Sequence, residues 1–346
     1  MRYCSRCRRR IVPDTRPAVT AAAAAAGRRG RRPPADPEAL IARARAGDAR
    51  ALARLISLVE NRSPGLRAVM KAIAPHTGTA RVIGLTGSPG VGKSTVTGAL
   101  AGAYRAAGLR IGVLAVDPTS PFSGGALLGD RVRMQDHATD DGIFIRSMAS
   151  RGHLGGLSLA TPQALRILDA AGFDLVMIET VGVGQAELEI ASLADSTLVI
   201  VAPGMGDSIQ AAKAGILEIA DILIVNKSDR AGAQESVRDL RTMLAMGHWA
   251  EGQWKPPIVS TVASAGTGID DLTARIEAHW SWLGSSAELA ARRRARAREE
   301  VAAIALAVLR ERMGGLPGGS RLDELAGRVA AGEIDPYSAA DELVSG

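Results

Sequence analysis

The chain has almost no cysteine. Its two cysteines, Cys4 and Cys7, sit at the extreme N-terminus, and none follows in a chain of 346 residues. A fold stapled by disulfides is therefore excluded. One C-x-x-C pair also cannot supply the four ligands of a structural zinc site. We read the pair as part of a tail without function, rather than as half a metal site or a redox couple. Aromatic residues are scarce as well, at 3% against 47% apolar residues, so the core must be aliphatic. No apolar run reaches the ~20 residues of a membrane span. The Ala21–Ala26 run is too short and too weakly apolar for a secretory signal. The expectation is a cytoplasmic protein with no membrane contact.

Acids are nearly missing from the first 35 residues, which hold ten arginines and only Asp14, a net of +9. The whole chain carries +6, so the rest is mildly acidic, at −3. The basic character belongs to a tail expected to be disordered, and no nucleic-acid partner is expected. Lysine is rare too, with five against 37 arginines. Three of the five, Lys93, Lys213 and Lys227, fall in segments that carry motifs. A compact ammonium and a planar guanidinium serve phosphates and bases differently.

Beyond the tail (1–35), a helical preface is expected over 36–80. Asp36-Pro37 reads as an N-cap followed by proline at the first helical position. Apolar residues then keep helical spacing from Ala39 to Glu60, and a second helix is expected from Pro64 to Ala74. From 81 to 284 apolar strands alternate with helices. The strands are expected at Val82–Thr86, Ile111–Val116, Ile143–Arg146, Leu175–Glu179, Thr197–Ala202, Ile222–Asn226 and Ile258–Thr261. Helices are expected at Ser94–Ala107, Thr161–Ala171, Asp207–Ala220 and Glu235–Met246, among others. This pattern predicts an α/β domain with a mostly parallel sheet covered on both faces. Ligands bind such sheets beyond the carboxyl ends of the strands. Residues 285–346 form a helical arm with little core of its own, which must pack on the main domain or on a second subunit.

The motifs sit at those strand ends. Gly87-Ser88-Pro89-Gly90-Val91-Gly92-Lys93-Ser94 matches G-x-x-x-x-G-K-[ST] between a strand and a helix, which makes it a phosphate-binding loop. Its glycines let backbone N–H groups converge on phosphates, Lys93 would reach the β- and γ-phosphates, and Ser94 would offer its hydroxyl to Mg²⁺. Thr95 follows in the same turn. Asn226-Lys227-Ser228-Asp229 is the N-K-x-D that selects guanine in such folds. Asp229 would accept N1–H and the exocyclic amine together, Lys227 would lie along the base and Asn226 would brace the loop. Glu179-Thr180-Val181-Gly182 would place a carboxylate near a Mg²⁺-bound water and a Gly182 amide on the γ-phosphate. Gln185 would orient water. Asp117 and Asp130 are further acids for the Mg²⁺ surroundings. Pro203-Gly204-Met205-Gly206-Asp207 opens a helix with Gln210 and Lys213. Chemistry alone gives that lysine no role beyond an exposed helix face.

These segments together resemble the MeaB/ArgK family, the G-protein chaperones of adenosylcobalamin-dependent acyl-CoA mutases, to which the methylmalonic aciduria type A protein belongs. The resemblance rests on V-D-P-T-S-P at 116–121 and S-G-G-A-L-L-G-D-R-x-R-M at 123–134. It also rests on E-T-V-G-V-G-Q at 179–185 and P-G-x-G-D-x-x-Q-x-x-K-x-G-I at 203–216. It runs from about Asp36 into the C-terminal arm. It implies a P-loop GTPase that hydrolyses GTP slowly and gates adenosylcobalamin delivery to a mutase, most often methylmalonyl-CoA mutase. Cobalamin would enter only through that partner. It further implies Asp117, Asp130 and Glu179 around Mg²⁺, Lys213 as the key residue of a switch loop that the mutase acts on, and a homodimer made by the C-terminal arm. One departure stands out. The loop after the last strand reads Val262-Ala263-Ser264, without the family's small Ser-Gly or Ser-Ala pair against guanine O6, so a backbone N–H would have to make that contact. A nickel-insertion GTPase and a kinase of a transport protein are the competing readings. The first lacks any cysteine in the core, and the second lacks a visible acceptor domain. A pure scaffold is a third.

Overall fold

The computed structural model describes residues 36–117, 140–149, 160–180, 186–204, 216–312 and 320–345. Seven strands make one sheet: β1 (Arg81–Thr86), β2 (Ile111–Asp117), β3 (Ile143–Ala149), β4 (Leu175–Thr180), β5 (Ser196–Val201), β6 (Ile222–Asn226) and β7 (Ile258–Thr261). Their order is β3-β2-β4-β1-β5-β6-β7, and every neighbouring pair is parallel. The expected parallel sheet is thus observed, with each strand placed to within three residues of its expected ends. The interior strands β4, β5 and β6 are buried along their whole length. That explains why their sequences read as continuous apolar runs rather than alternating ones.

Helices cover both faces. Alternate residues of β1, β4, β5 and β6 (Leu85, Met177, Leu198, Ile224) meet α4 (Lys93–Ala106) and α9 (Ile269–Ser285) through Val96, Leu100, Leu272 and Ile276. On the opposite face, Val199, Leu223 and Val225 meet α8 (Ala233–Met246) through Val237, Leu240 and Leu244. Helices α5 (Ala160–Ala170) and α6 (Ala186–Leu193) and the short α7 (Ile216–Ile219) complete the layers.

The preface departs from expectation at one point. The run from Ala39 to Glu60 is two helices, α1 (Pro37–Arg45) and α2 (Ala49–Glu60), followed by α3 (Leu66–Ile73). Gly47 adopts φ +91°, and the Asp48 carboxylate accepts from the N–H groups of Arg50 and Ala51. An N-cap of this kind starts a helix, so the apolar spacing survives the break while the axis does not. On α5, Asp169 ties the approach to β1, accepting from Thr79 N, Ala80 N and the Thr79 hydroxyl as well as from Gly78 N. Arg146 of β3 reaches Ser57 and Glu60 of α2, which fastens the preface to that strand.

The arm begins as part of this body. Its long helix α10 (Glu288–Arg312) docks its first half at the amino ends of β1, β5 and β6. Arg292 makes a bidentate pair with Asp221 at 2.8 and 2.9 Å. Arg293 binds Asp195 at 3.0 Å and the carbonyls of Gly78 and Ala80. Arg296 reaches the Leu193 carbonyl and Asp195. Both aspartates are buried, and each also caps a strand: Asp195 accepts from Val82 N and Asp221 from Thr197 N. The buried His279 lies between Ser196 and Asp221, 2.8 Å from Ser196 Oγ and 3.3 Å from Asp221 Oδ1, with the rings of Trp254 and Trp282 packed against it. The second half of α10 leaves Val301, Leu306 and Leu309 more than half exposed. The last two helices, α11 (Ser320–Ala330) and α12 (Pro336–Ser345), bury Leu325 and Ala339 and are pinned by Arg328–Glu342 at 3.0 Å.

Burial alone would raise the Asp221 carboxyl, but the His279 and Arg292 hydrogen bonds outweigh it and hold it below the ordinary carboxylate range. A depressed folded-state value stabilises the fold above the unfolded pKa, and that stability is lost as pH falls through the folded one. Asp221→Asn is therefore expected to cost roughly 2–4 kcal/mol at neutral pH, because it leaves a partly buried guanidinium with only the exposed Glu288 as counter-charge. Urea denaturation should show the gap between the two proteins closing as pH drops below about 4.

Candidate functional site

The carboxyl ends of β1, β4, β5 and β6 converge on one rim, and the phosphate-binding loop lies at its centre. Gly87 leaves β1 at φ +143°, and a Cβ there would stand 2.2 Å from the Ile200 carbonyl of β5. Gly92 closes the loop at φ +96°, where a Cβ would meet the Asn226 amide nitrogen at 2.5 Å. Only glycine permits both the turn and the close approach. Lys93 and Ser94 open α4 and are buried, while Pro89, Gly90 and Thr95 are exposed at the loop's crown and the helix start. The Lys93 ammonium curls back to the carbonyls of Gly87 at 2.7 Å and Ser88 at 3.0 Å. It therefore lies inside the turn of the loop, at the N-terminus of α4, where anions are favoured.

The Ser94 hydroxyl donates to Glu179 Oε1 at 2.5 Å. Glu179 is buried near the end of β4, paired in register with Leu85 of β1 on one side and Ala115 of β2 on the other. Asp117 ends β2 two positions further on, at the same rim. The Ser94 hydroxyl and the Glu179 carboxylate form an all-oxygen donor pair at this rim. That suits a hard divalent cation such as Mg²⁺, which takes one or two carboxylates and completes its shell with phosphate and water.

Asn226 binds the site together. Its Nδ2 donates to the Val91 carbonyl at 2.9 Å, while its Oδ1 accepts from Thr261 Oγ1 at 3.1 Å and Ala263 N at 3.2 Å. One buried carboxamide thus links the phosphate loop, the end of β6 and the loop after β7. Lys227, at φ +58°, crosses to the Gly90 carbonyl at 2.6 Å. Ser228 N donates to the Thr261 carbonyl, which holds the two loops side by side. Asp229 follows in an exposed turn. In the 262–264 segment, the Val262 N–H goes to Thr267 O and the Ala263 N–H to Asn226. Ser264 is exposed, and its N–H has no acceptor among the described hydrogen bonds.

One rim thus brings together 87–95, the end of β2 at Asp117, Glu179, 226–229 and 262–264. Gly182, Gln185, Asp130 and Lys213 lie outside the described residues. Thr261 is a member that sequence reading passes over. It looks like a strand residue, and only its place opposite Asn226 in the β6–β7 register marks it.

Comparison with known proteins agrees with this geometry. The family model described as methylmalonyl-CoA mutase-associated GTPase MeaB matches residues 52–315. A Pyrococcus horikoshii protein named as a GTPase is 48% identical over 304 residues, which is 87% of this chain and 95% of that protein. The Escherichia coli GTPase ArgK is 38% identical over 240 residues, 67% of this chain and 72% of that protein. A solved LAO/AO transport system kinase superposes with a TM-score of 0.67 at 26% identity, covering 89% of this chain and 96% of that one. With the sheet order, the phosphate loop and the Asn226 linkage in place, the family match over most of the chain gives its kinship: the protein belongs to the MeaB family of mutase-associated GTPases.

Proposed function

We propose that the chain binds GTP with Mg²⁺ and hydrolyses it slowly. We further propose that its nucleotide state gates the loading, protection or reactivation of adenosylcobalamin in an acyl-CoA mutase, with methylmalonyl-CoA mutase as the first candidate. The observation that carries this reading is the Asn226 linkage within a chain of the mutase-associated family. It makes the guanine-reading turn and the phosphate loop one rigid unit.

In this reading Lys93 leaves the carbonyls of Gly87 and Ser88 for the β- and γ-phosphates, while the loop amides hold the α- and β-phosphates. Ser94, Glu179, Asp117 and Asp130 would hold Mg²⁺, directly or through water, and the ion would offset charge on the phosphates. Gly182 senses the γ-phosphate and Gln185 orients the attacking water. Asp229 accepts two hydrogen bonds from guanine, Lys227 lies along the base, and the Ser264 N–H is the donor left for O6. Little covalent work falls to the protein in phosphoryl transfer, where positioning and charge dominate. A slow basal rate is then natural for a rim whose switch residues await a partner. Lys213 and the loop from Pro203 are assigned to the mutase's stimulation of hydrolysis.

The exposed Val301, Leu306 and Leu309 of α10 support a homodimer through the arm, since apolar side chains clustered on one helix mark an interaction site. The kinase reading has the name of the solved neighbour behind it, which is a statement about that protein. Labelled γ-phosphate decides the matter: it should appear as free phosphate and not on protein. A nickel-insertion reading would be favoured over ours by tight stoichiometric nickel binding in a metal-binding assay.

Asp229→Asn should reverse base preference. The amide offers a donor where guanine also has one, whereas xanthine presents a carbonyl there. Competition binding is expected to show GTP weakened by about 100-fold and xanthosine triphosphate favoured over it. Lys213→Ala should leave basal hydrolysis intact and remove its rise on adding the mutase; a full rise in that variant would sink the role given to this loop. Leu306→Glu should convert the dimer to monomer in sedimentation, with nucleotide affinity unchanged.

A further inference from the structure

On the rim opposite the nucleotide loops, a cavity of about 160 Å³ opens between α5, α10 and the segment 77–82. That is on the order of ten times the ~10–15 Å³ that one water needs. Its lining is rich in guanidiniums. Arg166, Arg293 and Arg296 face it, with Asp169 and Glu300 as the acids. Asp169 is already engaged by the N–H groups of residues 78–80 and the Thr79 hydroxyl. Glu300 is taken by Arg166 in a two-point pair at 2.6 and 2.9 Å. Asp195, just behind the lining, is divided between Arg293 at 3.0 Å and Arg296 at 3.4 Å. The three guanidiniums thus divide two of the three carboxylates, while Asp169 spends its oxygens on backbone N–H groups and a hydroxyl.

Arg296 has the weakest share. Apart from Asp195 its described partner is the Leu193 carbonyl. Burial pushes its pKa down from the usual arginine value; the Asp195 charge works against this, and the neighbouring charges of Arg293 and Arg166 add to the lowering. A guanidinium cannot escape burial by giving up its proton, and of its five N–H donors only those toward Leu193 and Asp195 have a partner among the described contacts.

We propose that this cavity binds one small oxyanion, of the phosphate or carboxylate class, held chiefly by Arg296 with Arg293 and Arg166 beside it. The planar fork of a guanidinium matches both chemistries. The site is separate from the nucleotide rim and lies where α10 is fastened to α5 and β1. An occupant there tightens the attachment of the arm to the sheet, and a ligand that binds only the folded state raises stability as its concentration exceeds its Kd.

The test uses the full chain saturated with GDP and Mg²⁺, so that the phosphate-binding loop is filled. Inorganic phosphate and, separately, acetate are titrated at constant ionic strength against chloride. Saturable heat and a rising Tm are expected in at least one titration, and the stronger of the two identifies the chemistry. Arg296→Gln should weaken binding at least tenfold with GTP affinity unchanged, since Asp195 keeps Val82 N and Arg293. Ala297→Glu, which plants a carboxylate on the cavity wall, should raise Tm without added anion and abolish the response. No saturable signal in the wild type at millimolar anion overturns the proposal. So does a response that Ala297→Glu leaves intact, even if Arg296→Gln does not fold.

Discussion

A seven-stranded sheet with every neighbouring pair parallel has two unlike rims, and this molecule uses each for one task. All carboxyl ends point one way, so the ends of β1, β4, β5, β6 and β7 lie on one rim without any special arrangement. All amino ends point the other way, where buried Asp195 and Asp221 wait at the starts of β5 and β6. Buried carboxylates are tolerable only when paired and hydrogen-bonded. The pairs come from strand N–H groups and from arginines of α10. The helical arm is therefore required by the sheet, since its first half supplies the positive charge that the amino-end rim needs.

The nucleotide rim shows the complementary economy. Lys93, Lys227 and Asn226 each bind a carbonyl of the loop that they are assigned to serve. The loop is held in shape by the groups that would later hold phosphate and base, so its open form is preorganised. The same arrangement sets the order of events on binding. If Lys93 serves phosphate as proposed, its ammonium exchanges two carbonyls for it, while Asn226, buried with both ends of its amide already bonded, has nothing to exchange.

Much of this was legible in the sequence. Fully buried strands and strand-end motifs are local signals, and both the parallel sheet and the clustering of Gly87–Thr95 with Asn226–Asp229 follow from them. What escaped is of two kinds. The break at Gly47-Asp48 preserves apolar spacing across two helices, so periodicity reads through it, although a glycine followed by an aspartate is the signature of a stop and a new cap. The buried acids that Arg292, Arg293 and Arg296 reach lie about 70–100 residues away in sequence. An arginine-rich helix looks solvated until the fold brings buried acids to it. The sequence reading left the arm free to pack on its own domain or on another subunit. The structure shows the first half of α10 on its own sheet and leaves the apolar second half exposed.

That division of α10 has a mechanical consequence. The helix is 25 residues long, and its last dozen residues extend past the final pairing at Glu300. At ~1.5 Å per residue this free length is about 18 Å. A tilt of roughly 5° at the arginine pairings would carry the far end about 1.5 Å. A shift at the base of β1, β5 or β6 too small to disturb the sheet would thus reach the exposed side chains as a displacement comparable to the ~1–2 Å helix shifts that accompany rearrangement at subunit interfaces. The helix acts as a pointer whose pivot is electrostatic.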